Sequence, residues 1–238
     1  MATTDWLPLE SNPDLLNGFL KTLGLKEGTA QFNDVFGLDE ELLMMVPQPC
    51  VALCLLYPSK VGKPRRGEQK EKRATQPQPP ADLVFCMQHD GIGNACGTIA
   101  CVHAIANTVG MDGLDDGPLK KFLTATEGMA PAARGTVLQE AKDMQTVSDG
   151  AAASGETEGA GTNDAQDQHF IAFVSKAGML YELDGRNIDA ETKEAFPFCH
   201  GATSAETFLM DAARVIREDF MARDPDCINF NVVALCKE

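Results

Sequence analysis

The reactive side chain best placed in this chain is Cys96, which stands where the polar, glycine-bearing stretch 88–93 gives way to an apolar run with helical spacing. The free N–H groups and dipole of a helix start favour an anion, so a thiolate there is stabilised and its pKa falls. Asn94, a good helix-capping type, lies just before it, and Gly97 just after would let backbone or substrate approach closely. Taken alone, Cys96 could equally be one more small buried thiol. A nucleophilic cysteine needs a base, and the base needs an orienting group. His169 opens one short apolar segment and Asp184 closes the next. A two-residue turn at Ala177-Gly178 or at Lys176-Ala177 puts both on the same face of a hairpin. The first turn sets them diagonally, at about 7–8 Å between β-carbons, and the second directly opposite, at about 4.5–5.5 Å. A three-residue turn would separate them. An aspartate there would fix the imidazole tautomer and stabilise its charged form, although Asp184-Gly185 also reads as an ordinary turn. The other histidines compete less well. His103 follows Cys96 by seven residues on the same apolar segment and is expected to be a satisfied core histidine. His89 is too close in sequence to reach round, and His200 sits in an expected loop with no acidic partner in view.

These residues need a scaffold, and the hydropathy pattern predicts one. Residues 12–25 read as a first helix ending near Gly24, 31–37 as an extended segment and 38–45 as a helical turn. The apolar run 50–57, bounded by Pro49 and Pro58, fits a strand buried on both faces. Residues 82–87 are expected to be a second buried strand, followed by a helix from Cys96 to about Asn107. Further helices are expected at 119–124 and 131–144, a hairpin at 169–184, a loop at 198–200, a helix over 204–222 and a strand over 228–236. Strands near both ends with helices between them predict an α+β fold, helices covering a mainly antiparallel sheet. Two polar stretches interrupt this order. Residues 59–81 carry many charges and prolines and are read as an exposed loop. Residues 147–167 are rich in glycine and are read as a mobile loop of the kind that serves a site.

Composition narrows the function. The chain carries 20 Lys and Arg against 35 Asp and Glu, a formal charge of −15, and 44% of its residues are hydrophobic. That fraction is too high for disorder, and 238 residues suffice for one domain with a full core. No apolar run approaches the ~18 residues of a membrane span, and no secretory signal is visible. A soluble protein of the cytoplasm is expected, with nuclear access left open by the basic cluster Lys60, Lys63, Arg65, Arg66, Lys70, Lys72 and Arg73. Nucleic acid is not expected as a partner, because a phosphate backbone requires clustered cations; a basic protein is. The eight cysteines lack a CxxC pair and lie mostly in apolar segments, so neither disulfides nor structural zinc is expected, and no metal or cofactor is called for.

Three motifs in order, GNACGTIACVHAIAN around Cys96, QHFIAFV around His169 and LYELDGR around Asp184, resemble the signatures of the ubiquitin C-terminal hydrolase family of cysteine proteases. The opening WLPLESNPDLLNGFLKTLGL, the segment VFGLDEELLMMVPQPCVALCLLYP and the stretch around Arg223-Asp224-Pro225 resemble its short, single-domain members. The resemblance implies a papain-like fold with a knotted backbone, a single catalytic domain over 1–238, a monomer, and ubiquitin or a close relative as partner. It implies that Cys96 attacks the carbonyl of ubiquitin's last glycine, forming a thioester, with His169 as base then acid and Asp184 orienting it. It further implies that 147–167 is a crossover loop limiting substrates to small adducts or unfolded tails, and that Trp6, Leu7, Pro8, Leu9 and Glu10 contact ubiquitin. The family places an oxyanion-hole glutamine six residues before the nucleophile. Asp90 stands there, and a carboxylate would repel the developing charge; either a two-residue insertion lets Gln88, eight residues before, serve as donor, which is the favoured reading, or the hole relies on backbone N–H groups including that of Cys96. The rival to an active hydrolase is a ubiquitin-binding module with weak catalysis, and a redox-sensing thiol protein is a third reading.

Overall fold

Alternation along the central strands decides the architecture. In β2 (Cys50–Pro58), Ala52 and Cys54 are buried on one face and Leu53, Leu55 and Tyr57 on the other. In β3 (Gln168–Lys176) the same division separates Phe170, Ala172 and Val174 from Ile171 and Phe173. Strands buried on both faces require a layer of other elements on each side. The computed structural model, which describes residues 6–155, 168–189 and 191–238, supplies both layers. The sheet is antiparallel throughout, in the order β1 (Ala30–Asp34), β6 (Asn231–Lys237), β2, β3, β4 (Met179–Leu183), β5 (Phe198–Ala202). On the first face lie α1 (Pro13–Leu23), α4 (Cys96–Thr108), α5 (Pro118–Ala125), α6 (Pro131–Glu140) and α7 (Lys142–Ala153). On the second lie α2 (Glu40–Leu43), α3 (Ser59–Glu71) and α8 (Phe208–Val215), the last continuing through a π-helical turn at Ile216–Phe220. The result is the expected α+β fold in α/β/α layers. No helix of the described residues is long and apolar enough to cross a membrane.

Local chemistry places the boundaries. Asn12 Oδ1 accepts the N–H groups of Asp14 and Leu15 at 2.9 and 3.3 Å, Pro13 opens α1, and Gly24, at φ 106°, closes it. The β3–β4 turn is the two-residue Ala177-Gly178, both at positive φ (50° and 74°), with Lys176 opposite Met179 and Ala172 opposite Leu183. Two left-handed residues match the twist of a hairpin. This register puts His169 and Asp184 on one face in the diagonal arrangement. α4 is buried over all but two of its 13 residues, which its near-absence of charged side chains permits.

Several expectations are corrected. Residues 59–81 are not an exposed loop: 59–71 form α3, with Val61, Arg65 and Gln69 buried. Three of its basic residues pair with carboxylates on distant elements: Arg65 with Glu182 and Asp219, Arg66 with Asp184, and Lys60 with Asp224. Residues 82–87 are apolar but form no strand, because side chains take the role of a partner strand. Asn107 accepts from the Val84 N–H and donates to its carbonyl, both at 2.8 Å. His103 Nε2 accepts from the Cys86 N–H at 2.8 Å, and Arg134 donates to the Phe85 carbonyl at 2.8 Å. The expected helix 131–144 is two helices, α6 and α7, broken at Ala141. α7 runs into the start of the glycine-rich stretch 147–167, whose residues 156–167 lie outside the described residues. Residues 198–200 belong to β5, and the helix expected from 204 begins at Phe208.

Candidate active site

Cys96 is the first residue of α4, and its cap position is Ala95, which makes no side-chain capping bond. Asn94 is therefore not the cap; its N–H is taken by the Trp6 carbonyl at 3.2 Å. A helix start that no side chain caps keeps its N–H groups available for an anion, either a thiolate or an oxyanion. Gly97 is required for packing rather than for substrate: a β-carbon there would lie 3.0 Å from Leu9 Cβ and 3.3 Å from Phe170 Cδ2. Leu9 and the start of β3 are thereby drawn against the first turn of α4.

The hairpin delivers the other two residues. His169 and Asp184 are each 1% exposed, and His169 Nε2 donates to Asp184 Oδ1 at 2.6 Å. The same oxygen accepts the Arg186 N–H at 2.8 Å, and the second oxygen accepts from Arg66 Nη1 at 3.0 Å. The edge of Tyr57 packs against the imidazole at 5.8 Å between ring centres. His169 Nδ1, the nitrogen not committed to Asp184, is buried without a hydrogen bond and is the one left for Cys96. Thiol and imidazole are near enough to perturb each other. Burial opposes ionisation of Cys96, but the attraction of His169, the Arg186 charge and the Phe170 N–H outweigh it and lower its pKa. Burial likewise disfavours the imidazolium, but Asp184 and Cys96 outweigh it and raise the pKa of His169. Against its burial, His169 and then Arg66 hold Asp184 far below the usual carboxylate range. Thiol down and imidazole up is the signature of a thiolate–imidazolium pair.

Gln88 is buried, 4% exposed, while Asp90 is exposed on a short 3₁₀ turn, Asp90–Ile92. The Gln88 N–H binds the Gly185 carbonyl at 2.7 Å, its side-chain amide donates to the Gly93 carbonyl at 3.2 Å, and its Oε1 has no partner. A cleft of about 310 Å³ opens beside Cys96, lined by Pro8, Leu9, Glu10, Gln168 and Phe170. The expected ubiquitin-contact residues thus divide. Pro8, Leu9 and Glu10 border the cleft and Leu7 is 45% exposed, but Trp6 is wholly buried, bridging to Gly93. His103 is the satisfied core histidine expected, between the Cys86 N–H and the Leu183 carbonyl. His200 does have an acidic partner, Glu182 at 2.8 Å. Arg66 and the backbone of Arg186 are site residues that sequence reasoning did not assign. The available signal was the pair Arg65-Arg66 set against Glu182 and Asp184, which lie two apart at the end of β4 and just past it.

Residues 6–222 match the family model of ubiquitin carboxyl-terminal hydrolase, family 1. The ubiquitin carboxyl-terminal hydrolase of Drosophila melanogaster is 40% identical over 232 residues, covering 97% of this chain and 96% of that protein. Human ubiquitin carboxyl-terminal hydrolase isozyme L1 is 40% identical over 231 residues, covering 97% of each. Among solved structures, the catalytic domain of Trichinella spiralis UCH37 bound to ubiquitin vinyl methyl ester aligns with a TM-score of 0.73 over 100% of this chain and 98% of that one, at 23% identity, which bears on the fold. A cysteine at an uncapped helix start beside a buried His–Asp pair, in a chain that matches this model over nearly its whole length, has one consistent assignment: the protein belongs to ubiquitin carboxyl-terminal hydrolase family 1.

Proposed function

We propose that the chain is a single catalytic domain that hydrolyses the bond following the C-terminal glycine of ubiquitin, through a thioester on Cys96. The observation that carries this reading is the 2.6 Å bond from His169 Nε2 to Asp184, which leaves Nδ1 unpaired for the thiol at the start of α4. The Cys96 thiolate attacks the glycine carbonyl carbon, and the carbonyl electrons move onto its oxygen. The N–H groups at the α4 start, together with Gln88, receive that charge. Gln88 suits the task because its amide has two N–H groups: Gly93 holds one, which fixes the plane, and the second remains to donate. Exposed Asp90 does not intrude. Collapse expels the leaving amine, which takes its proton from the imidazolium of His169. The neutral imidazole then deprotonates water, which attacks the thioester and releases ubiquitin's carboxylate and the thiolate. The ubiquitin tail lies in the cleft bordered by Pro8, Leu9 and Glu10, and small adducts or unfolded tails are the leaving groups this reading favours.

The test is steady-state hydrolysis of ubiquitin carrying a fluorogenic C-terminal leaving group, with covalent capture by ubiquitin vinyl methyl ester alongside. Wild type is expected to turn over and to be captured, and Cys96→Ala to do neither while still binding ubiquitin. Turnover by Cys96→Ala would refute the nucleophile. Binding without turnover by wild type would make the protein a ubiquitin-binding module instead.

A further inference from the structure

We propose that Arg66 is a positioning residue for this reaction: from α3 it clamps the Asp184 oxygen that His169 does not use, fixing the carboxylate's rotation and balancing its charge from behind. The proposal rests on the triad reading above.

Asp184 offers two oxygens to three donors. Oδ1 takes His169 and the Arg186 N–H, and Arg66 Nη1 alone is bonded to Oδ2, at 3.0 Å. Without Arg66 the carboxylate could turn about its last torsion and still keep one donor on each oxygen, which would misplace the imidazole. With Arg66 a single orientation satisfies all three. The molecule makes room for this contact at Gly62, one turn earlier on α3, where a β-carbon would lie 2.8 Å from Arg66 Nη1 and 2.7 Å from Tyr57 Oη.

The surrounding charges leave this role to Arg66. From β2, Tyr57 faces Asp184, and burial keeps its phenol neutral by raising its pKa. From α4, His103 is pushed by burial down to about 4 and is neutral as well. Arg65 on α3 is spent on Glu182 of β4, both its terminal nitrogens bonded to that carboxylate at 2.9 and 2.8 Å. Arg186 acts on the other side, on the Cys96 thiolate. His169 and Arg66 are therefore the cations that face Asp184, and only His169 takes part in proton transfer. Removing Arg66 makes the site more negative. A thiolate is then harder to form and an imidazolium harder to lose, so both limbs of the pH profile move to higher pH. A residue that merely held α3 in place would lower activity without moving them.

The experiment compares wild type, Arg66→Gln, Arg66→Lys and Gly62→Ala, all as the full chain. It records kcat/KM for fluorogenic ubiquitin across pH, and separately the pH dependence of Cys96 alkylation by iodoacetamide, read by peptide mass spectrometry. In Arg66→Gln both limbs and the alkylation midpoint are expected to rise by about half a pH unit or more, and kcat to fall about tenfold. KM should stay within about twofold, since Arg66 does not line the cleft. Arg66→Lys should return the limbs towards wild type. Gly62→Ala, which displaces the guanidinium without removing it, should shift them in the same direction by less. Limbs and alkylation midpoint unmoved in Arg66→Gln, or Lys no better than Gln, would overturn the proposal. An alkylation shift without ubiquitin turnover in wild type would uphold Arg66 and refute the hydrolase reading, so the two fail separately.

Discussion

Asp184→Asn tests the site most sharply, because the structure dictates which way the new amide must lie. Its oxygen can occupy the Oδ1 position, keeping the His169 and Arg186 N–H bonds now at 2.6 and 2.8 Å, with the NH₂ group turned to Arg66. The opposite orientation would set the NH₂ group against both of those donors, losing two bonds rather than one. The first therefore prevails, and Nε2 keeps its proton. What is lost is the charge. A charge-assisted hydrogen bond is worth about 1.5–3 kcal/mol and a neutral one about 0.5–1.5, so the imidazolium loses roughly 1–2 kcal/mol of support. That converts to a fall in kcat of about 5- to 30-fold, well short of the roughly 10⁴-fold loss that accompanies an inverted tautomer. Asp184 is held far below the usual carboxylate range and is ionised throughout a practical pH profile. Its neutralisation makes the thiolate easier to form and the imidazolium easier to lose, so both limbs should move to lower pH, opposite to Arg66→Gln. The assay is kcat/KM for fluorogenic ubiquitin against pH, with the Asp184→Asn, Arg66→Gln double variant completing the cycle and returning the limbs towards wild type. An unchanged rate would mean that Asp184 does not act on His169. A loss beyond about 10³-fold would mean the amide lies the other way, and limbs moving upward would sink the charge argument.

Gln88→Ala is expected to lower kcat by about 10²- to 10³-fold, whereas Asp90→Asn, on the surface, should leave it within about twofold; an inert Gln88→Ala would transfer the oxyanion to backbone N–H groups alone. Arg65→Met leaves Glu182 buried with its two arginine contacts gone, and urea unfolding should show a loss of about 3–5 kcal/mol, partly recovered in Arg65→Met with Glu182→Leu; a loss under about 1 kcal/mol would mean the cluster is not desolvated as described. Against the burial of both carboxylates, Arg65 holds Glu182 low and His169 holds Asp184 low. Folded pKa values below the unfolded ones contribute stability that is complete above about pH 5 and lost as pH falls through about 4 and below, so wild-type stability measured in urea should decline over that window, and less steeply in the Arg65→Met, Glu182→Leu variant, which of the two keeps only the Asp184 contribution.

The parts of the molecule legible in its sequence are those where a period of two or of 3.6 residues meets a buried face. β2 read as a doubly buried strand because no polar residue interrupts it, β3 and β4 read as an apolar hairpin, and a two-residue turn, once assumed, placed His169 and Asp184 on one face, since a hairpin's parity follows from its loop length. Cys96 was legible as the junction of a polar turn with an apolar helix. The choice of Gln88 over Asp90 rested on chemistry, because an ionised carboxylate cannot donate a hydrogen bond as an amide can; the structure buries Gln88 and exposes Asp90. What stayed hidden depends on contacts distant in sequence. Residues 82–87 have a strand's composition, and nothing local shows that Asn107, His103 and Arg134 will satisfy their backbone. α3 looks like a loop for sound reasons: Gly62, Pro64 and Gly67 together cost a helix roughly 5 kcal/mol relative to alanine, and its charges suggest solvent. The partners of Arg65, Glu182 and Asp219, are 117 and 154 residues away.

A segment so poor in helix propensity takes this form because of what β4 presents to it. Tyr181 and Leu183 face the first layer, so the alternation of the strand obliges Glu182 to face the second, and Asp184 follows just past the strand's end. Glu182 is 1% exposed there, and a buried carboxylate without a partner costs several kcal/mol. Delivering Arg65 to it, with Phe220 stacked 3.4 Å from the guanidinium and Gln69 donating at 3.0 Å, removes that penalty. Such pairs specify a register more than they add net stability. The next residue of the helix, Arg66, reaches Asp184, two residues along the chain from Glu182, at 3.0 Å. The contact that satisfies Glu182 and the one that holds Asp184 thus come from adjacent residues of α3. Substitutions that unsettle Arg65 should therefore carry the pH signature of Arg66 loss in addition to their cost in stability, a coupling that thermal melts alone would not reveal.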